Sequence, residues 1–173
     1  MSFTIRFGVL CLSCILLGWA STLAAQDVTV IGTHGAWTAY MYQEDSALVC
    51  YMASEPTKAE GNYTRRGDIF TLVTHRPAEN AFDVVSVVAG YPYKNNSDVS
   101  IRVGSRTYDL FTHGERAWAR DVGTDKAVVQ GMIRGNTMTI KGTSSRGTLT
   151  TDTYSLRGFT AAHKTISTSC NVN

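Results

Sequence analysis

Downstream of residue 26, apolar and polar residues alternate with a period of two through most of the chain, the pattern of half-buried strands. Met138 and Ile140 alternate with Thr137, Thr139 and Lys141. Ser144, Ser145, Arg146 and Gly147 then offer small, polar and conformationally permissive residues for a reversal. The returning segment Thr148 to Leu156 is rich in threonine and carries Tyr154, a composition that favours the pleated conformation. A second hairpin can be counted out. Gly104-Ser105 places glycine first in a two-residue loop, which suits a type II′ turn. Pairing around it sets Val103 opposite Arg106, Ile101 opposite Tyr108 and Val99 opposite Leu110, with directly opposed residues sharing a face.

Earlier in the chain, Asp27 to Thr33 is a short β-like segment, and Trp37, Ala39 and Met41 alternate with Thr38, Tyr40 and Tyr42. After the turn-like Gln43-Glu44-Asp45, Ser46 to Ala53 reads as the next strand. Ile69 to Val73 and Phe82 to Ala89 are nearly continuous apolar runs, predicting strands covered on both faces. Pro56 to Asn62 is polar and reads as a loop.

The period changes to that of a helix in two places. Val128, Val129, Met132 and Ile133 form a buried stripe over Thr124–Arg134, with Thr124 as the cap and Gly135 as the stop. Gly131 inside this helix costs about 1 kcal/mol of helix propensity, so the helix must depend on packing. Phe159, Ala162 and Ile166 mark a short C-terminal helix. The expected fold is mainly β: an antiparallel, β-sandwich-like single domain with one internal and one C-terminal short helix.

Composition changes this picture at the N-terminus. Within residues 1–25, Arg6 is the only charge, Phe7 to Trp19 is apolar, and Leu23-Ala24-Ala25 offers small residues for cleavage. That is the plan of a secretory signal peptide, with an apolar run too short to span a bilayer, so no transmembrane segment is expected in the mature chain. Residues 26–173 form the expected mature domain. Of 16 basic and 14 acidic residues only Arg6 leaves with the signal, so the mature net charge is about +1. Nothing there forms the basic footprint that nucleic acid requires. Two of the four cysteines, Cys50 and Cys170, remain in a chain bound for an oxidising compartment, where a disulfide between them is expected.

Candidate chemistry is sparse. His34, His75, His113 and His163 are far apart and fit no metal-ligand spacing, so neither a metal nor a cofactor is expected. Gly142 to Gly147 lacks the spacing of a serine-hydrolase nucleophile turn, so no catalytic residue is assigned. Arg66-Gly67-Asp68 is the tripeptide that integrins read. The apolar run that follows it predicts instead that Asp68 begins a strand. The aromatics give a better lead, since Tyr and Trp anchor interfaces. Trp37, Trp118 and Tyr154 are expected in the core, whereas Tyr91 and Tyr93 flank Pro92 on a loop. Arg146 at the turn and Asp152 on the returning strand form an expected exposed charged pair. Arg146, Asp152, Tyr91 and Tyr93 are the candidate binding surface.

The run SSRGTLTTDTYSLRGFTAA, followed by Ile166 and Cys170, resembles the C-terminal signature of the invasion-associated locus B family. Trp37-Thr38-Ala39-Tyr40, Val49-Cys50-Tyr51, Arg65-Arg66-Gly67-Asp68, His75-Arg76-Pro77, Gly90-Tyr91-Pro92 and Ala117-Trp118 extend the resemblance over nearly all of the mature chain. The resemblance implies a small exported protein of Gram-negative bacteria, of a family linked in pathogens to host-cell invasion and without established catalytic residues. The expected function is non-catalytic binding of an envelope or host-surface protein or glycan, in the periplasm or at the outer surface. A hydrolase of an envelope polymer and a structural envelope-integrity factor are the alternatives.

Overall fold

The computed structural model describes residues 27–172, so the signal-peptide segment lies outside the described residues. Eleven strands form one antiparallel sheet. In chain order they are β1 (Thr29–His34), β2 (Trp37–Glu44), β3 (Ala47–Ser54), β4 (Lys58–Gly61), β5 (Phe70–Arg76), β6 (Ala81–Val88), β7 (Asp98–Val103), β8 (Arg106–His113), β9 (Arg116–Trp118), β10 (Thr137–Thr143) and β11 (Leu149–Ser155). Their order across the sheet is β1-β2-β3-β5-β6-β9-β8-β7-β10-β11-β4.

The sheet curls until its two halves meet. Although β2 stands second and β11 tenth in that order, Trp37 Nε1 donates to the Ser155 carbonyl at 3.0 Å. Next to it, the Ala36 N–H donates to the Arg157 carbonyl at 3.0 Å. The inner face encloses the core, in which Trp37, Met52, Val73, Ile101, Leu110, Met138 and Ile140 are buried. The outer face accounts for many of the tyrosines, for Tyr40 and Tyr51 are cross-strand partners stacked at 4.8 Å with Tyr42 against them.

Two helices close the interior. Helix α1 (Val122–Arg134) buries Val128, Val129 and Met132 of the expected stripe, whereas Ile133 is only partly buried. Its cap is Asp121 rather than Thr124. Asp121 holds the extended backbone a cap requires and accepts the Thr124 N–H at 2.8 Å, leaving Thr124 inside the first turn. Gly131 has a packing reason: a Cβ there would stand 3.0 Å from the Tyr108 hydroxyl. Helix α2 (Phe159–Ser169) buries Phe159, Ala162 and Ile166, and Phe159 meets Trp37 edge-on at 4.9 Å. Among the described residues no helix is long and apolar enough to cross a membrane.

The two counted hairpins have the expected registers, Val103↔Arg106, Ile101↔Tyr108 and Val99↔Leu110 in one and Met138↔Tyr154 and Ile140↔Asp152 in the other. Four expectations are corrected. The polar stretch read as a loop contains β4, which pairs with β11; its four residues are all exposed, so no alternation marks it. Strand β5 is buried on one face only, because Phe70, Leu72 and Thr74 lie on the outer side. The turn after β2 falls at Asp45 and Ser46, both at positive φ as in a type I′ loop, and the strand itself runs on through Glu44. Trp118 is only half-buried, because Ala117 takes the inward position of β9 and leaves Trp118 beside Phe111 on the outer face. The expected bridge is present, with Cys50 on β3 joined to Cys170 at the end of α2 and a Cα–Cα distance of 6.0 Å.

Candidate functional site

On β11 the inward positions are Thr150, Asp152 and Tyr154, so strand alternation drives a carboxylate into the interior. The answering cation is Arg66. It lies on an unpaired segment between β4 and β5 that passes against Gly90, where the Gly67 N–H donates to the Gly90 carbonyl at 2.9 Å. Gly90 has φ +69°, and a Cβ on it would fall 2.4 Å from the Gly67 carbonyl oxygen. Only glycine permits that approach, and it places Arg66 over the open end of the interior.

All three guanidinium nitrogens are engaged. Its two terminal nitrogens donate to the two oxygens of Asp152, each at 2.6 Å, and Nε donates to the Ala89 carbonyl at 2.6 Å. Both side chains are 4% exposed. The guanidinium carbon lies 4.9 Å from the Tyr91 ring centre and 5.6 Å from that of Tyr63. Burial pulls the arginine's pKa down, but the hydrogen bonds and charge of Asp152 outweigh it and raise it above the ordinary value. Tyr91 and Thr150 share a hydroxyl hydrogen bond of 2.6 Å, and burial pushes the tyrosine's pKa up.

Above this buried pair is an open cleft of about 540 Å³, whose walls include Tyr63, Tyr91, Arg65, Glu115 and Arg146. The turn carrying Arg146 is laced to the Tyr91 loop, since the Ser145 N–H donates to the Pro92 carbonyl and the Lys94 N–H to that of Thr143. Of the four residues expected at the surface, the structure brings Tyr91 and Arg146 to one cleft. Tyr93 does not reach it: its ring is buried behind Tyr91, and its backbone forms an isolated β-bridge with Ser144. Asp152 is not surface-exposed and pairs with Arg66 rather than Arg146, a correction that follows from its place in the β11 alternation. Arg66-Gly67-Asp68 is no presented adhesive tripeptide, because its arginine is consumed inside; Asp68 precedes β5 rather than beginning it. Arg66 and Tyr63 escaped sequence reasoning. The available signal was the phase of Asp152, which shares its inward face with Tyr154 and so calls for a buried partner, either a cation or a hydrogen-bond donor.

Three of the four histidines of the described chain gather at the seam between α2 and the sheet. His34 Nε2 bonds Thr165 Oγ1 at 2.9 Å, His75 Nε2 bonds Ser167 Oγ at 3.1 Å, and His163 Nε2 bonds Asp83 Oδ1 at 2.7 Å. One donor atom from each of His75, Asp83 and His163 lies within 4.8 Å of the others, close enough to raise the question of a metal. The hydrogen bonding answers it. The Asp83 N–H donates to His75 Nδ1 at 3.1 Å, so Nδ1 offers its lone pair and the ring proton sits on Nε2. The nitrogen facing the cluster therefore has no lone pair for an ion. Asp83 holds this N–H in place at φ +59°, within a bulge of β6 against β5. Burial holds the pKa of His75 below the usual histidine value.

Nearby, Asp125 accepts the Val85 N–H at 2.8 Å, and burial, reinforced by Asp83, pushes its pKa up to about 6. An acid whose folded pKa is raised destabilises the fold when ionised, a penalty absent below about pH 4 and fully present above about pH 6. Asp125→Asn is therefore expected to stabilise the protein by about 1–2 kcal/mol at pH 7.5 and by little near pH 4. His75 acts in the opposite sense, because its lowered pKa gives stability that is present above about pH 6.5 and lost as pH falls below it. Thermal melts of the parent and Asp125→Asn proteins across pH 4–8 check the first expectation directly.

Comparison with known proteins bears on this architecture. The family model described as "Invasion associated locus B (IalB) protein" matches residues 37–167. Among solved structures, the crystal structure of invasion associated protein B from Bartonella henselae is similar in fold, with a TM-score of 0.55 and 16% identity over 86% of this chain and 99% of that one. No curated protein matches the chain. The matched span contains the Arg66–Asp152 pair and all the cleft residues named above.

Proposed function

The chain belongs to the invasion associated locus B family, and from that premise we propose that it is an exported, non-catalytic binding protein of the bacterial envelope whose partner docks in the Arg146–Tyr91 cleft. The observation that carries this reading is the convergence of two loops, 62–68 and 91–94, and one turn, 144–148, on a rigid buried ion pair. That arrangement presents a pre-organised recess, with a volume in the usual range of ligand sites. The cleft's only carboxylate is Glu115 and no histidine or cysteine lines it, which favours binding over acid–base or nucleophilic chemistry. The disulfide suits an oxidising compartment.

A photo-cross-linking amino acid at position 146 tests the reading in envelope preparations, with position 106, at the exposed tip of the β7–β8 hairpin, as the control. Capture from 146 and not from 106 is expected. Equal capture from the two positions contradicts a localised site. Neighbouring substitutions separate turn from site. Gly147 sits at φ +85°, and a Cβ added there would meet no atom within 4 Å, so Gly147→Val is expected to cost about 1–2 kcal/mol through backbone strain alone. Urea unfolding measures that cost.

A further inference from the structure

The cleft's chemistry also narrows the class of ligand, on the reading that the cleft is the binding site. Among the described residues, Arg65, Glu115 and Arg146 form no ion pair although all three line it. Their charges are unspent and sum to +1, so the cleft complements a ligand carrying one negative charge. Arg66 is not the receptor, since its charge is answered by Asp152 and its side chain, 4% exposed, does not line the cleft. A planar guanidinium such as that of Arg146 can meet a carboxylate with two parallel hydrogen bonds.

The remaining surface points away from a protein partner. No Leu, Ile, Val, Phe, Met or Trp side chain lines the cleft, so it lacks the apolar pocket into which an interface anchor fits. It offers instead the Tyr63 ring, 37% of that residue being exposed, among the hydroxyls of Ser145 and Thr148 and the amide of Asn62. The ring is steadied from behind by the Arg66 guanidinium and at its tip by a hydrogen bond to the Ala59 carbonyl at 3.2 Å. A fixed aromatic ring amid hydroxyl, amide and guanidinium groups matches a sugar, whose C–H face packs on the ring while its hydroxyls take the polar bonds. We infer that the cleft between Tyr63, Tyr91 and Arg146 binds a saccharide bearing a single carboxylate.

Isothermal titration of the mature, disulfide-bonded protein tests this with three probes: the N-acetylglucosamine–N-acetylmuramic acid disaccharide, 3′-sialyllactose and neutral chitobiose. At least one acidic probe is expected to bind about tenfold more tightly than chitobiose, and the one that does distinguishes a cell-wall source from a host-type glycan. Arg146→Ala should weaken that probe about tenfold, and Glu115→Gln should tighten it, with melting temperatures unchanged in both. Equal binding of chitobiose, or no binding of either acidic probe, overturns the inference. If no saccharide binds while cross-linking from position 146 still captures a protein, the saccharide falls and the binding site stands. If capture from 146 also fails, the two readings fall together.

Discussion

Asp152→Ala is expected to lower the unfolding free energy by about 3–5 kcal/mol, a large part of the stability of a domain this size. The loss is not the strength of the ion pair itself. Removing the carboxylate leaves the Arg66 guanidinium 4% exposed with no counter-charge, and stranding a buried charge is costly. The same reasoning predicts that the double variant Arg66→Met/Asp152→Leu recovers most of the loss, because neither charge then remains to be desolvated. Urea unfolding of the two single variants and the double variant yields the coupling energy. A recovered fold would show that the pair is not needed for stability as such. Its role is then to fix Tyr63 and Tyr91, which flank the guanidinium, and the double variant is expected to melt normally while binding poorly.

Opening the Cys50–Cys170 bridge has an expected effect of similar size for a different reason. The bridge closes a loop with a sequence separation of 120 residues, for which the chain-entropy account allows up to about 4.7 kcal/mol and native bridges commonly give about 2–5. Cys50→Ser/Cys170→Ser should therefore melt well below the parent. The loosening should concentrate in α2, which ends at Cys170 and is otherwise held by Phe159, Ala162, Ile166 and the histidine seam. Amide exchange resolves the two parts of the claim, with α2 exchanging faster while β7, β8 and β10 keep their protection. Uniform acceleration across the molecule would show that α2 does not open separately.

What could be read in the sequence was whatever is settled within a few residues. The β7–β8 hairpin was legible because Gly104-Ser105 and the alternation on either side specify one register together. The disulfide was legible because only two cysteines follow the predicted signal. Strand β4 was not, since a short, wholly exposed edge strand has no buried face to imprint a pattern on its residues. The histidine seam was invisible for another reason: its bonds join residues 131, 92 and 80 apart, and sequence spacing says nothing about such pairs. The site fell between these cases. Arg146 and Tyr91 stood out as a turn arginine and a loop aromatic, whereas Arg66 looked like part of a local tripeptide. Its partner lies 86 residues away on a strand whose inner and outer faces are both polar, so hydropathy alone did not mark Asp152 as buried.

On the proposed reading the Arg66–Asp152 pair builds the cleft, and Arg146, on its rim, works in binding rather than in folding. Arg146 is exposed and has no hydrogen-bond or ion-pair partner among the described residues, so Arg146→Ala should change stability by no more than about 0.5 kcal/mol. The most direct test measures thermal unfolding and partner capture from envelope extracts side by side for the parent and Arg146→Ala proteins. Superimposable melting curves with capture reduced about tenfold or more are expected; full capture by the folded variant, or loss of the fold itself, would rule out a binding role for Arg146.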